Sequence, residues 1–199
     1  MTEPSAEELP EARPSGPGVT EPPVLLDPRR WGGLVGLVGG LVFVLSYSAP
    51  LGSLLSITAR GTGLLLALVA MVLLFVRPVA LGPLARPRPL ALLVYLACVA
   101  GEVVLIGIGS RVLNDAGAGD LRPALIAAVV GLHFLPFAWA FGERMFYLLG
   151  SIVAALGGAG LAVGALGVAR AAEVAAVLAG LAMLVILVGY ARGRFSPPQ

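Results

Sequence analysis

Six long apolar runs, at 31–49, 57–76, 90–110, 124–142, 145–166 and 171–190, constrain this chain more than any other feature. A helix needs about 20 residues to cross the hydrocarbon core of a bilayer, and each run is close to that length. Inside lipid no water satisfies the backbone, so a segment buried there must satisfy its own N–H and C=O groups as a helix or in a closed barrel. Each run therefore reads as a transmembrane helix. Charge is scarce as well: 12% of the 199 residues are charged and 58% are hydrophobic, whereas a soluble domain carries about 25% charged residues. So little charge cannot cover a surface in water, which makes the lipid bilayer the first expected partner. The expected fold is all-α, a polytopic transmembrane bundle of about six helices with a disordered N-terminal tail.

Physical breaks separate the runs. Pro50 ends the first and Arg77-Pro78 the second. The stretch from Arg77 to Pro89 holds three Arg and four Pro, which forbids a continuous helix. Asn114 through Pro123 is a polar turn segment, while Gly142-Glu143-Arg144 and Arg170 mark two short hairpin connections. Residues 1–28, rich in Pro, Glu, Ser and Gly, have little to bury and read as a disordered acidic tail; residues 193–199 form a short C-terminal tail. The tail has an acidic start and no apolar core, unlike a secretory signal. Arg29-Arg30-Trp31 resembles a twin-arginine signal only superficially. Its plainer reading is a basic flank and interfacial Trp anchoring the first span.

Charge distribution orients the bundle. The tail holds six acids against Arg13, and the rest of the chain twelve Arg against five acids. Those Arg are scattered between apolar runs, which suits membrane topology and argues against a nucleic-acid partner. Eight Arg (29, 30, 77, 86, 88, 144, 192 and 194) fall on the side of the termini and four (60, 111, 122 and 170) on the other. By the positive-inside rule both termini are expected in the cytoplasm of a cell with a multi-pass plasma-membrane protein. The chain has no Lys, and its Arg, Ala, Gly, Val, Leu and Pro point to GC-rich, bacterial coding.

Lipid tails are as apolar as Leu, so helices in a membrane associate through close packing at small residues. Gly32, Gly36 and Gly40 recur every four residues on the first span, Gly160 and Gly164 on the fifth, and Ala172, Ala176 and Gly180 on the sixth. Such strips serve packing within one chain or association with a second copy or another membrane protein.

Two polar groups stand out in mid-membrane. Glu102 lies near the centre of the third span, where a charge costs about 2.5–3.5 kcal/mol. The eleven Leu, Val and Ile of that span offset the cost, so insertion is feasible with the carboxyl facing the bundle. Tyr95 and Cys98, seven and four residues earlier, are expected on the same helical face. His133 is the only histidine, about midway along the fourth span and within about one helical turn of the depth of Glu102. Pro136 removes the hydrogen bond to the Leu132 carbonyl and is expected to kink the helix there. Glu102 and His133 read either as a titratable proton- or ligand-handling site or as polar groups locking helices together. Glu143-Arg144 reads as an interfacial charge pair, and Arg60 as a side chain snorkelling to the outer face.

Other chemistry lacks its residues. A single His excludes bis-histidine haem ligation and an HExxH zinc site, and the absence of Lys excludes a phosphate-binding Gly-Lys-Ser/Thr loop. Ser151 lacks the flanking glycines of a nucleophile turn. The expectation is therefore no catalytic residue, metal or cofactor.

The segment Val130-Gly131-Leu132-His133-Phe134-Leu135-Pro136-Phe137-Ala138 resembles the signature of a family of small uncharacterised bacterial multi-spanning membrane proteins. In that family a Gly-Leu-His-Phe-x-Pro-x-Ala helix precedes a hairpin and two further spans. The resemblance covers about residues 125–165 and implies that His133 and Pro136 belong to a recurring arrangement. It brings no activity or substrate with it. The leading functional expectation is a non-enzymatic membrane protein moving a small solute or protons through a bundle containing Glu102 and His133. The other is a structural or regulatory protein binding a partner through its tail or a glycine-rich helix face.

Overall fold

A computed structural model describes residues 22–79, 81 and 89–195. Most of the expected acidic tail, the centre of the Arg- and Pro-rich connector and the last four residues lie outside the described residues. Six helices, all long and apolar enough to cross a membrane, make up the fold. They are α1 (Pro28–Tyr47), α2 (Ser53–Met71), α3 (Ala91–Asp115), α4 (Arg122–Phe141), α5 (Met145–Ala165) and α6 (Ala171–Ala191).

Local chemistry sets most of the ends. The Asp27 carboxylate caps α1 by accepting a hydrogen bond from the Arg29 backbone N–H at 3.0 Å, and Pro28 follows in the first turn. The last turn of α2 widens into a π-helical turn, Val72–Val76, before Pro78 stops it. Gly142, at φ 70°, closes α4 in the left-handed conformation that glycine adopts without strain. Pro136 sits inside α4, which continues from Arg122 to Phe141 without a break. Helix α3 runs five residues beyond the expected end at 110, because Arg111 to Asp115 add a further polar turn.

The packing register shows an alternating up-and-down bundle. Gly33 meets Leu74 and Gly63 meets Val44, so α1 and α2 are antiparallel. Gly36 meets Leu187 and Gly40 meets Leu184, which makes α6 antiparallel to α1. Gly131 and Gly157 face Ala154 and Ala128 across α4 and α5, while Gly109 and Leu125 pair α3 with α4 in the same opposed sense. The start of α1 and the end of α6 therefore lie on one side, called here the terminal side. Helix α6 is the central element, packing against α1, α2, α4 and α5. Helix α3 is peripheral and packs on α4.

The glycine strips fall partly where the sequence places them. Gly36 and Gly40 lie against α6, and a Cβ at Gly40 would stand 3.1 Å from the Gly180 carbonyl oxygen. Gly32 does not belong to this seam, since nothing lies within 4 Å of the position of its missing Cβ. The α1 packing face is Gly33, Gly36 and Gly40, because α1 is gripped by α2 as well as α6, which turns Gly32 away. Gly160 packs against Ala175 and Ala124, whereas Gly164 meets Leu121 in the turn before α4.

Candidate functional site

The only histidine of the chain and the mid-span acid of α3 meet. Nδ1 of His133 lies 3.4 Å from Oε2 of Glu102, with the two side chains 12% and 22% exposed. This is a polar contact without hydrogen-bond alignment, and Nδ1 is buried with no hydrogen-bond partner. The antiparallel pairing of α3 and α4 brings the two residues together. Glu102 stands eleven residues from the start of α3 and His133 eight from the end of α4, about 16 Å and 12 Å from the terminal side at 1.5 Å per residue.

Aromatic rings surround the pair. Phe134 and Phe137 lie 4.1 and 5.1 Å from the His133 ring, and Tyr95 stacks on Phe137 at 5.5 Å. Phe146 of α5 stacks on Phe134 at 5.9 Å. The i, i+3, i+4 spacing of His133, Phe134, Phe137 and Phe141 puts this cluster on one stripe of α4.

Glu102, His133 and Tyr95 line a cavity of about 770 Å³ bounded by α1, α3 and α4, with α5 and α6 behind. Its wall runs the length of α1, from Pro28 and Arg29 through Gly32, Gly36 and Gly39 to Tyr47. Cys98 is not part of this lining. The expectation was that Cys98 shares a face with Tyr95 and Glu102; it is half-buried on α3, about 40° round the helix from Glu102 and about 60° from Tyr95. A second cavity, of about 340 Å³, shares Tyr47 and Ile126 with the first and adds Asp120, Arg122 and Glu173 on the side opposite the termini.

At the terminal side the cavity reaches Arg29, Glu143 and Tyr190. The Arg29 guanidinium donates to both Asp27 oxygens, Nε at 3.0 and 3.2 Å and Nη2 at 2.9 Å. Arg30 is 3% exposed and Asp27 fully buried, so Arg30 is packed into the bundle and is no solvated flank. Arg30 Nη1 donates to the Leu74 carbonyl at 2.7 Å and Nη2 to the Val79 carbonyl at 3.1 Å. Leu74 is four residues before Pro78, whose missing N–H leaves that carbonyl without its helical partner. Arg30 replaces the lost donor. Glu143 turns towards this cluster, and burial pushes its carboxyl above the ordinary range, against the smaller opposing pull of Arg29.

No protein-family model, curated protein or solved structure matches the chain. The site must be read from its own geometry.

Glu102, His133 and Tyr95, singled out in the sequence, line one cavity, and the Asp27–Arg29–Arg30 cluster was not singled out. The signal was present: Asp-Pro is a cap followed by a first-turn proline, and Pro78 announces an orphan carbonyl in need of a donor. On the opposite side Arg60 donates from Nε to the Ser48 hydroxyl at 2.9 Å and from Nη2 to the Leu45 carbonyl at 3.4 Å, closing the end of α1.

Proposed function

We propose that this is a non-enzymatic membrane protein that moves protons, or a small solute coupled to them, through the cavity between α1, α3 and α4. The observation carrying this reading is the Glu102–His133 pair, 3.4 Å apart on the cavity wall at mid-depth. A carboxyl and an imidazole in contact can together carry a proton through an apolar interior. His133 Nδ1 lacks a hydrogen-bond partner and lies 3.4 Å from the Glu102 carboxyl, so it is free to take up a proton-carrying contact with it. The polar groups at both ends, Asp120, Arg122 and Glu173 on one side and Glu143 and Tyr190 on the other, supply the wet mouths that such a path requires.

The excess of Arg on the terminal side supports a plasma-membrane orientation with both termini in the cytoplasm. In this reading His133 and Phe134 of the Gly-Leu-His-Phe-Leu-Pro segment face the cavity, while Gly131 packs on α5. Partner binding through the glycine strips is less favoured, since Gly36, Gly40 and Gly160 are taken up by contacts inside the bundle.

The test is pH-dependent flux in proteoliposomes carrying an internal pH indicator. Glu102→Gln and His133→Ala are expected to reduce flux to that of empty vesicles while the protein elutes as the wild type does. Wild-type flux in both variants would remove the proposal.

A further inference from the structure

The lining of the large cavity is selective in composition. Of the thirteen Phe, Tyr and Trp of the chain, eight line it. Those nearest Glu102 and His133 are Tyr95, Phe134, Phe137 and Phe146, and their rings form a continuous cluster with centroid separations of 5.5–6.1 Å. Aromatic faces carry negative charge in their quadrupole and attract a desolvated cation within about 6 Å. The carboxyl groups lining the cavity are Glu102 and Glu143, and the guanidinium lining it is Arg29, already hydrogen-bonded to both oxygens of Asp27. The balance of lining charge therefore favours a positive guest.

The cavity also has a side door. Val35 and Val42 of α1, 72% and 55% exposed, and Tyr95 of α3, 43% exposed, belong to its wall and to the outer surface of the bundle at once. Helix α3 packs on α4 and not across the cavity on α1. A guest can thus enter sideways from the bilayer without crossing a polar mouth. Its volume of about 770 Å³ lies within the range of pockets that enclose drug-sized molecules.

We propose that this cavity binds lipophilic organic cations, molecules with an apolar body and a delocalised or shielded positive charge, with the charge held between Glu102 and the Tyr95–Phe137 rings. The inference rests on the reading of the same cavity as a translocation site and names the class of solute it takes. A hydrated inorganic cation fits poorly, because so apolar a lining cannot replace its water shell. A lipophilic cation carries little hydration and gains from the rings.

The test uses two probes of matched shape and opposite charge, tetraphenylphosphonium and tetraphenylborate, titrated calorimetrically into the full chain in nanodiscs with empty nanodiscs subtracted. Tetraphenylphosphonium is expected to bind saturably at one site per chain, with tetraphenylborate weaker by about tenfold or more. Glu102→Gln should weaken the phosphonium by about tenfold or more, and Phe137→Leu by about threefold to thirtyfold. Equal binding of the two probes overturns the proposal, as does unchanged phosphonium affinity in Glu102→Gln. If Glu102→Gln fails to fold, Phe137→Leu and Phe146→Leu decide, and unchanged affinity in both overturns it. Proton flux measured on the same preparation separates the two readings. Flux without phosphonium binding removes the cation site alone, whereas binding without flux upholds the site and removes translocation.

Discussion

Helices α6 and α3 are equally apolar and differ in almost everything else. Over its most apolar stretch α6 is 56% buried inside the bundle and α3 only 6%. Helix α6 touches four other long helices, and α3 leans on one. The same division separates the α4–α5 seam from the α1–α3 side. Across α4 and α5 the backbones approach through Gly131, Gly150 and Gly157, and a Cβ at Gly150 would stand 2.8 Å from the Gly131 carbonyl oxygen. Across α1 and α3 there is a cavity. The helix that contributes least to packing carries Glu102, while its partner His133 sits on α4, which also forms the closest seam with α5. A helix with few packing partners shifts at low cost, so the Glu102–His133 contact lies on the seam where motion is cheapest.

The contrast breaks most visibly at glycine. Gly131→Val sets a branched side chain against the Ala154 backbone, and neither backbone can retreat. A destabilisation of about 3 kcal/mol or more is expected, read as loss of the monodisperse peak in detergent. Gly107→Val on α3 has open space around it and should leave that peak unchanged. If both variants behave alike, the division into a packed half and a loose half is wrong.

Next in size is Arg30→Ala. It leaves the Leu74 and Val79 carbonyls and the buried Asp27 without this guanidinium. Removing one member of a buried charged network costs about 3 kcal/mol, seen as a lower thermal-aggregation temperature. A surface basic flank would instead give a change of about 0.5 kcal/mol or less, so the size of the effect discriminates between a buried lock and an interfacial anchor.

These two variants also mark what the sequence could and could not disclose. The six helices were legible because length and hydropathy alone decide them in lipid. Glu102 and His133 were legible because a charge and an imidazole in mid-span have few places to go, and antiparallel neighbours fix their relative depth. The role of Arg30 was hidden: its partners are backbone carbonyls more than forty residues away, and carbonyls leave no mark in a sequence. Gly131 and Gly157 were hidden for another reason. The eye follows a four-residue repeat such as Gly32, Gly36 and Gly40, whereas the closest approach in this bundle uses glycines on two different helices, spaced by where the axes cross.

A smaller effect should follow pH. Burial raises the Glu143 carboxyl above its ordinary value near 4.5, with Arg29 opposing and Asp27 adding to the rise; Tyr190 stands in the same lining. Below the ordinary value the group is protonated in both states. As pH rises past it, the unfolded chain releases the proton before the folded one does. Stability therefore falls through the window between the ordinary and the raised value and stays low above it. Glu143→Gln should flatten that part of the stability-against-pH curve. A wild-type curve that instead rises with pH through this window would mean that Glu143 is held charged by Arg29, making the terminal mouth of the cavity an ion-pair network.

The smallest expected effect is Gly32→Ala, and it sharpens the comparison along a single helix. A new methyl at Gly32 meets nothing within 4 Å, whereas at Gly40 it would stand 3.0 Å from the Leu184 side chain and 3.1 Å from the Gly180 oxygen. In open space only the helix preference of Ala over Gly remains, a gain of up to about 1 kcal/mol. At Gly40 the same gain is opposed by a contact that requires α6 to move. Gly32→Ala should raise the thermal-aggregation temperature slightly and Gly40→Ala lower it. Equal loss in both would return Gly32 to the packing strip and close the α1 wall of the cavity at that level.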